Sequence, residues 1–244
     1  MKPITFLSDY GPGDEYVGVV EGVIAKIAPN SRVIHLGHGV PPQDVRTGAR
    51  RLARALPFTP PGVHLAVVDP GVGTERRAIA IRAGDRILVG PDSGLLLPAA
   101  GRIDEVVEIS HSPHRLQPVS NTFHGRDIFA PVAAHLALGE PLTGEPVTDL
   151  VELEPLTPRS EGATRIVHAV EIDGFGNVIT NAELPAGPAR IDGHAVVVGR
   201  TFGDAPPGGL VIYEDSAGDV AIAVNRGSAA ELLDVRAGDV LRLT

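Results

Sequence analysis

The sequence predicts an α/β fold with a mainly parallel sheet in its N-terminal part, followed by a small all-β domain, a barrel or a sandwich. Three observations carry this. Strand and helix patterns alternate over the first 70 residues, a stretch broken by prolines follows the middle of the chain, and short β-runs fill the remainder.

Residues 4–8 are short, apolar and strand-like, and end in Ser8-Asp9-Tyr10-Gly11. Asp14 is expected to cap a helix in which Val17, Val20, Ile24 and Ile27 share one face, ended by Pro29. Residues 32–36 read as a second strand. Val45, Ala49, Leu52 and Leu56 mark a second helix, and His64 to Val68 a third strand. This order is the sequence sign of βαβ units and a parallel sheet. Gly84-Asp85 then forms the turn of a hairpin between 78–81 and 86–89, and Val106 to Ile109 is another short strand. Ile128, Phe129, Val132 and Leu136 lie on one face of a third strong helix, stopped by Gly139.

Residues 139–162 contain Pro141, Pro146, Pro155 and Pro158 and keep no period. The expected organisation is an N-terminal domain over 1–150, a linker over 151–163 and a C-terminal domain over 164–244. In the last part, β-runs at 165–172, 195–198, 210–213, 220–224 and 240–243 are separated by Gly, Asn, Asp and Pro, with one short helix near 228–233.

Composition removes several classes of function. Cys is absent, which excludes disulfides, thiolate nucleophiles and Cys-ligated zinc. A formal charge of -9 argues against nucleic acid, whose binding rests on Lys and Arg at phosphates. No run of about 18 apolar residues exists, so no membrane span is expected. The N-terminus lacks the basic and apolar regions of a signal peptide, and the expected location is the cytoplasm. At 43% hydrophobic but 4% aromatic residues with no Trp, the core must rest on Val, Leu, Ile and Ala.

Candidate chemistry sits where predicted strands end, the usual ligand position in open α/β sheets. Asp9 follows the first strand and Asp69 the third; each is either a ligand or a turn residue. Val68-Asp69-Pro70-Gly71-Val72-Gly73-Thr74-Glu75-Arg76-Arg77 packs acid, glycines and arginines into one loop, without the Gly-Lys-Ser/Thr of a phosphate loop. Asn121-Thr122-Phe123-His124-Gly125-Arg126-Asp127 opens the third helix. His124 is a candidate base there, against a reading in which Thr122 and Asp127 merely cap the first turn. In Asp173-Gly174-Phe175-Gly176-Asn177, Phe175 either stacks on a base or tips a β-turn with Asn in a left-handed conformation. His35 and His38, and His111 and His114, are three apart. Neither pair has a usual zinc spacing, and i and i+3 on a strand point to opposite faces, so no catalytic metal is expected.

Taken in order, these segments resemble one family over nearly the whole chain. The motifs are Ser8-Asp9-Tyr10-Gly11, Pro41-Pro42-Gln43-Asp44, Val68 to Arg77, Pro91-Asp92-Ser93-Gly94, Thr122 to Pro131, Phe175-Gly176-Asn177 with Thr180-Asn181, and Gly227-Ser228-Ala229-Ala230. They are similar to the S-adenosyl-L-methionine hydroxide adenosyltransferases, relatives of fluorinase and chlorinase. The resemblance implies a C-terminal β-barrel and a homotrimer, with each ligand between the N-terminal domain of one subunit and the C-terminal domain of its neighbour. It implies hydrolysis of S-adenosyl-L-methionine to adenosine and methionine, with no cofactor. Asp69, Arg76 and His124 fall on the catalytic trio, and Asp9 on the ribose ligand. Asp173 falls on the group that meets the methionine ammonium, and Ser216 on that meeting its carboxylate. Val72, Thr122, Phe123, Gly125, Phe175 and Asn177 fall on the substrate pocket.

The sequence departs from the family pattern at Gly37-His38-Gly39, at Ser93, at His114-Arg115 and at Ala217, where halogenating relatives have Arg. Fluorinase carries an aromatic hydroxyl residue at the Asp69 position and Ser at the Gly125 position, whereas chlorinase shares the Gly. A carboxylate at 69 repels halide and accepts protons from water, so the expected nucleophile is water. A chlorinase-like halide transfer and a non-catalytic binder of S-adenosyl-L-methionine or adenosine are the alternatives.

Overall fold

The structure is a computed structural model and describes residues 1–244. The chain forms two compact units, Met1–Leu153 and Glu154–Thr244.

The first unit holds β1 (Ile4–Ser8), α1 (Tyr16–Ile27), β2 (Val33–Gly37), α2 (Val45–Ala55) and β3 (Val63–Val67). These are followed by β4 (Ala78–Ala83), β5 (Arg86–Pro91), α3 (Leu97–Ala100), β6 (Glu105–Glu108), α4 (Ala130–Leu138) and β7 (Glu145–Pro146). The sheet order is β2-β1-β3-β5-β4-β6-β7. Strands β2, β1, β3 and β5 are mutually parallel, and β4, β6 and β7 add on antiparallel. The turn at Gly84 makes β4–β5 the expected hairpin, with Gly84 at φ 62°.

Burial follows the strand alternation. Ile4, Phe6, Val63, Leu65, Val67, Ile87 and Val89 face a core shared with Val20 and Ile24 of α1 and Val132 and Leu136 of α4. Leu7, Ala66, Ile79, Ile81 and Leu88 face a second core with Ala49 and Leu52 of α2 and Ala100 of α3. Central strands are therefore buried on both faces, which explains their near-continuous apolar sequences.

Helix starts depart from the sequence reading. Helix α1 is preceded by Glu15, not by a capping Asp14, and no side chain caps it. Helix α2 does have an acidic cap, because Asp44 accepts hydrogen bonds from the Thr47 amide and hydroxyl. Helix α4 is preceded by a π-turn over Gly125–Phe129 and ends at Gly139, in the left-handed region at φ 97°.

The second unit contains β8 (Arg159–Glu161), β9 (Thr164–Ile172), β10 (Val178–Thr180), β11 (Ala189–Ile191), β12 (His194–Val198), β13 (Leu210–Glu214), β14 (Val220–Val224), α5 (Ala229–Leu233) and β15 (Val240–Leu243). Seven strands run β10-β14-β13-β12-β11-β15-β9, and β9 pairs back onto β10, so the sheet closes into a barrel with β8 attached outside. Closure leaves the seven strands no free edge. The strands β10 and β11 complete the ring, but each has only three residues, too few to show an alternating pattern.

Candidate active site

In the first unit the loop after β3 and the segment before α4 are held together by backbone contact. Gly73 lies at φ 76°, and a Cβ there would meet the Asn121 carbonyl oxygen at 2.2 Å. Gly71 lies less tightly against Arg76, with an added Cβ at 3.0 Å from the Arg76 Cβ. Both glycines are thus present for close approach. Their effect is to bring Asp69, Arg76 and His124 into one hydrogen-bonded group.

Arg76 donates from Nε to Asp69 Oδ1 at 2.9 Å and from Nη2 to Oδ2 at 2.5 Å. The same Nη2 lies 3.0 Å from His124 Nδ1. Arginine has only donors, so His124 Nδ1 accepts, and the imidazole is neutral with its proton on Nε2. Burial pushes the His124 pKa below 6.5, and the Arg76 charge adds to this against Asp69 and Asp127. Burial lifts the Asp69 carboxyl above its ordinary range, outweighing the pull of Arg76. The guanidinium also sits 5.3 Å from the centre of the Phe129 ring. Its Nη1 is buried and makes no hydrogen bond within the chain. A pocket of about 250 Å³ opens here, lined by Thr74, Glu75, Arg76, His111, Arg115 and His124 among others.

Other residues of the two loops have partners within the chain. Asp127 accepts from the Ser120 amide at 2.8 Å and from Arg126, and does not cap the helix. Thr122 is exposed, and its amide donates to Ser120 Oγ. Val72 is half-buried, and its amide donates to the Asp69 carbonyl.

Tyr10 is a neighbour that the residue-by-residue reading left without a role. Its ring packs edge-on against Phe123 at 5.8 Å. A Cβ on Gly125 would lie 1.9 Å from its hydroxyl. Burial, with Asp9 and Asp69 nearby, raises its pKa, so it stays a neutral phenol. Tyr10 explains in this chain why position 125 is Gly. The signal was its place in Ser8-Asp9-Tyr10-Gly11, beside an acid at a strand end. Asp9 itself accepts from the Gln43 amide at 2.8 Å, where Gln43 adopts φ 65°.

One expectation about histidines fails. His35 and His38 meet, sharing a 2.8 Å hydrogen bond, although strand geometry would separate them. The strand ends at Gly37, at φ 150° and beyond a register shift, so His38 leaves the strand and turns back. His38 also bonds Ser8 Oγ at 2.8 Å, and burial followed by the His35 charge pushes its pKa down to about 4.

In the second unit, both Asp173 oxygens serve its own turn. Oδ1 accepts from the Phe175 and Asn177 amides, and Oδ2 from the Asn177 side-chain amide. The left-handed residue is Gly176 at φ 80°, not Asn177. Ser228 caps α5 and packs against Gly176, where a Cβ would lie 2.2 Å from its Oγ. The turn is thereby fixed from outside. Phe175 stands 83% exposed at its tip, and Asn177 is buried. Ser216 is exposed in the β13–β14 turn. Thr180 and Asn181 are structural, bonding the Val220 carbonyl and the Leu156 carbonyl.

The first unit is thus a three-layer α/β fold with a half-buried Asp-Arg-His group, and the second is a closed β-barrel. The comparisons with known proteins make this specific: the SAM hydroxide adenosyltransferase N-terminal domain matches residues 4–144 and its C-terminal domain residues 167–242, and the chain belongs to that family. An (R)-S-adenosyl-L-methionine hydrolase of Salinispora arenicola is 51% identical, over 99% of this chain and 97% of that one. A fluorinase of an Actinoplanes species is 26% identical over 99% and 97%. An uncharacterised conserved protein from Thermotoga maritima superposes with a TM-score of 0.87 at 37% identity, covering 98% of this chain and 99% of that one.

Proposed function

We propose that this chain hydrolyses S-adenosyl-L-methionine to adenosine and L-methionine by in-line attack of water at C5′. The observation that carries the reading is the Asp69–Arg76–His124 group, in a family whose half-identical relative is named a hydrolase. A buried carboxylate at the nucleophile position disfavours halide and offers water an acceptor. The leaving group is a neutral thioether departing from a sulfonium, so no acid is required. The water adds its oxygen to C5′, the C5′–S bond breaks with its electron pair going to sulfur, and one proton is released.

Asp69 takes that proton. Its oxygens accept from Arg76 and from the Gly71 amide, which still leaves the carboxylate a lone pair for the proton. His124 has no free lone pair while Nδ1 accepts from Arg76, so its role is to donate from Nε2 and orient. This reading replaces the sequence expectation of His124 as a candidate base. Arg76 keeps Asp69 in place, and its positive charge stabilises hydroxide character in the attacking water.

Asp9 holds the ribose, with Val72, Thr122, Phe123 and Gly125 lining the adenosyl side. The working form is a homotrimer in which Asp173, Phe175, Asn177 and Ser216 of one subunit complete the site of its neighbour. The exposed Phe175 supports this, since an aromatic ring on a rigid turn favours a stacking partner. The reaction uses no cofactor beyond the substrate.

The sequence reading drew no distinction between the two epimers at sulfur. The name of the Salinispora relative specifies the R form, and the proposed substrate is therefore the R epimer. The test is a chromatographic assay with each epimer, in chloride-free buffer and then with chloride. Adenosine and methionine from the R epimer in both buffers support the reading. A 5′-chloro product moves the chain to halide transfer, and binding without turnover makes it a sensor.

A further inference from the structure

Away from the trio, His114, His135 and Glu140 converge in the first unit. Glu140 lies just beyond α4, and the left-handed Gly139 folds the chain back so that the Glu140 amide bonds the His135 carbonyl at 3.2 Å. The carboxylate then takes one histidine on each oxygen. His135 Nδ1 is 2.6 Å from Oε1, and His114 Nε2 is 3.2 Å from Oε2. The two rings stack, 4.1 Å between centres and 19° apart in plane, so both nitrogens are presented together. The three donor atoms all lie within 4.8 Å of one another.

We propose that these residues form a binding site for a divalent transition-metal ion, zinc in the first instance. Bonds of about 2.0–2.2 Å in a tetrahedron place ligand atoms about 3.3–3.5 Å apart, so only small side-chain movements are needed. Two imidazoles and one carboxylate favour zinc, cobalt and nickel over magnesium or calcium. On binding, the cation replaces the proton on each facing nitrogen, and each neutral ring carries its proton on its other nitrogen. The side chains are 25%, 27% and 39% exposed, so water reaches the fourth position. The sequence concealed this set because the three ligands follow no usual spacing, and the His111 that accompanies His114 in sequence pairs instead with Arg115.

The site has a structural consequence. His114 belongs to the segment between β6 and the π-turn, while His135 and Glu140 mark the far end of α4. His124 lies on the chain between them. A bound ion therefore ties both ends of the stretch that carries His124, and is expected to raise the melting temperature without taking part in the chemistry.

The experiment is calorimetric titration of untagged, chelator-stripped full-length protein with zinc chloride, and with cobalt for its visible absorption. One ion per chain is expected, with a dissociation constant on the order of 10 µM. His114→Ala and Glu140→Gln should each weaken binding at least about tenfold, the loss expected when one of three ligands goes. His38→Ala should leave it unchanged, and circular dichroism verifies that each variant is folded. Absence of saturable binding, or binding abolished by His38→Ala and retained in Glu140→Gln, overturns the proposal.

Discussion

Arg76 and Arg77 are adjacent in the chain, and each clasps a buried aspartate, yet the two clasps are built for different ends. Arg77 binds Asp92 through Nε and Nη2 and reaches Asp149 through Nη1 and Nη2, while Asp92 also accepts the Val151 amide. Every nitrogen of that guanidinium is engaged, and the result ties the end of the unit to its sheet. Arg76 binds Asp69 as firmly but also touches His124, leaves Nη1 free and opens onto a pocket. A saturated ion pair holds structure. A pair that also bonds a histidine and opens onto a pocket suits the reactive role proposed for it.

Breaking the comparison at its functional side should have the largest effect. Asp69→Asn, Arg76→Ala and His124→Ala are each expected to lower turnover about 10²–10⁴-fold, followed as adenosine release. Near-normal rates in all three would remove the trio from the mechanism. On the structural side, Asp92→Ala strips Arg77 and the Val151 amide of their acceptor. It should destabilise the fold by about 3–5 kcal/mol in a denaturant melt, with turnover per folded molecule unchanged. If that variant keeps its stability and loses activity, the two clasps have been assigned the wrong way round.

A subtler change tests how the two loops are joined. Gly73→Ala places a methyl against the Asn121 carbonyl at a backbone angle that suits glycine. A cost of about 1–3 kcal/mol is expected. Displacement of the segment bearing His124 should lower turnover about tenfold or more. A variant with wild-type melting and kinetics would show that the loops do not depend on this contact.

The smallest expected effects are those of pH. The proposed mechanism needs Asp69 ionised and His124 neutral, so kcat/KM should be level above neutrality and fall as the solution is made acid. The acid limb lies above the ordinary carboxylate range because the Asp69 pKa is raised. It belongs to the coupled group rather than to one residue. For stability the signs oppose. His124, with a folded pKa below 6.5, favours folding above that value, and this contribution is lost as the pH falls further. Asp69, raised when folded, favours folding at low pH, and that contribution is lost as the pH rises through its folded pKa. Melting curves of His124→Asn and Asp69→Asn against pH should separate the two. An acid limb unchanged in His124→Asn would assign it to Asp69.

Much of this was legible before the structure. The short apolar runs of β1 and β3 and the helical spacing in α1 and α4 locate the sheet and its covering helices. Motif order marks Asp69, Arg76 and His124. The short strands β10 and β11 were missed because three residues carry no period, although the barrel closes only through them. His38 was misjudged because a strand rule was extended past a glycine that ends the strand.

Local chemistry along the chain therefore determined which segments become strands or helices, where they stop and which residue types collect at their ends. Such preferences act over a few residues, and a linear sequence records them directly. Tertiary structure alone decided which aspartate Arg76 grips, which tautomer His124 holds, why position 125 must be Gly beside Tyr10, and that His114 meets Glu140. Those outcomes depend on distances between residues far apart in the chain. Such distances are set by how the packed layers and loops fit together, and no local preference encodes them.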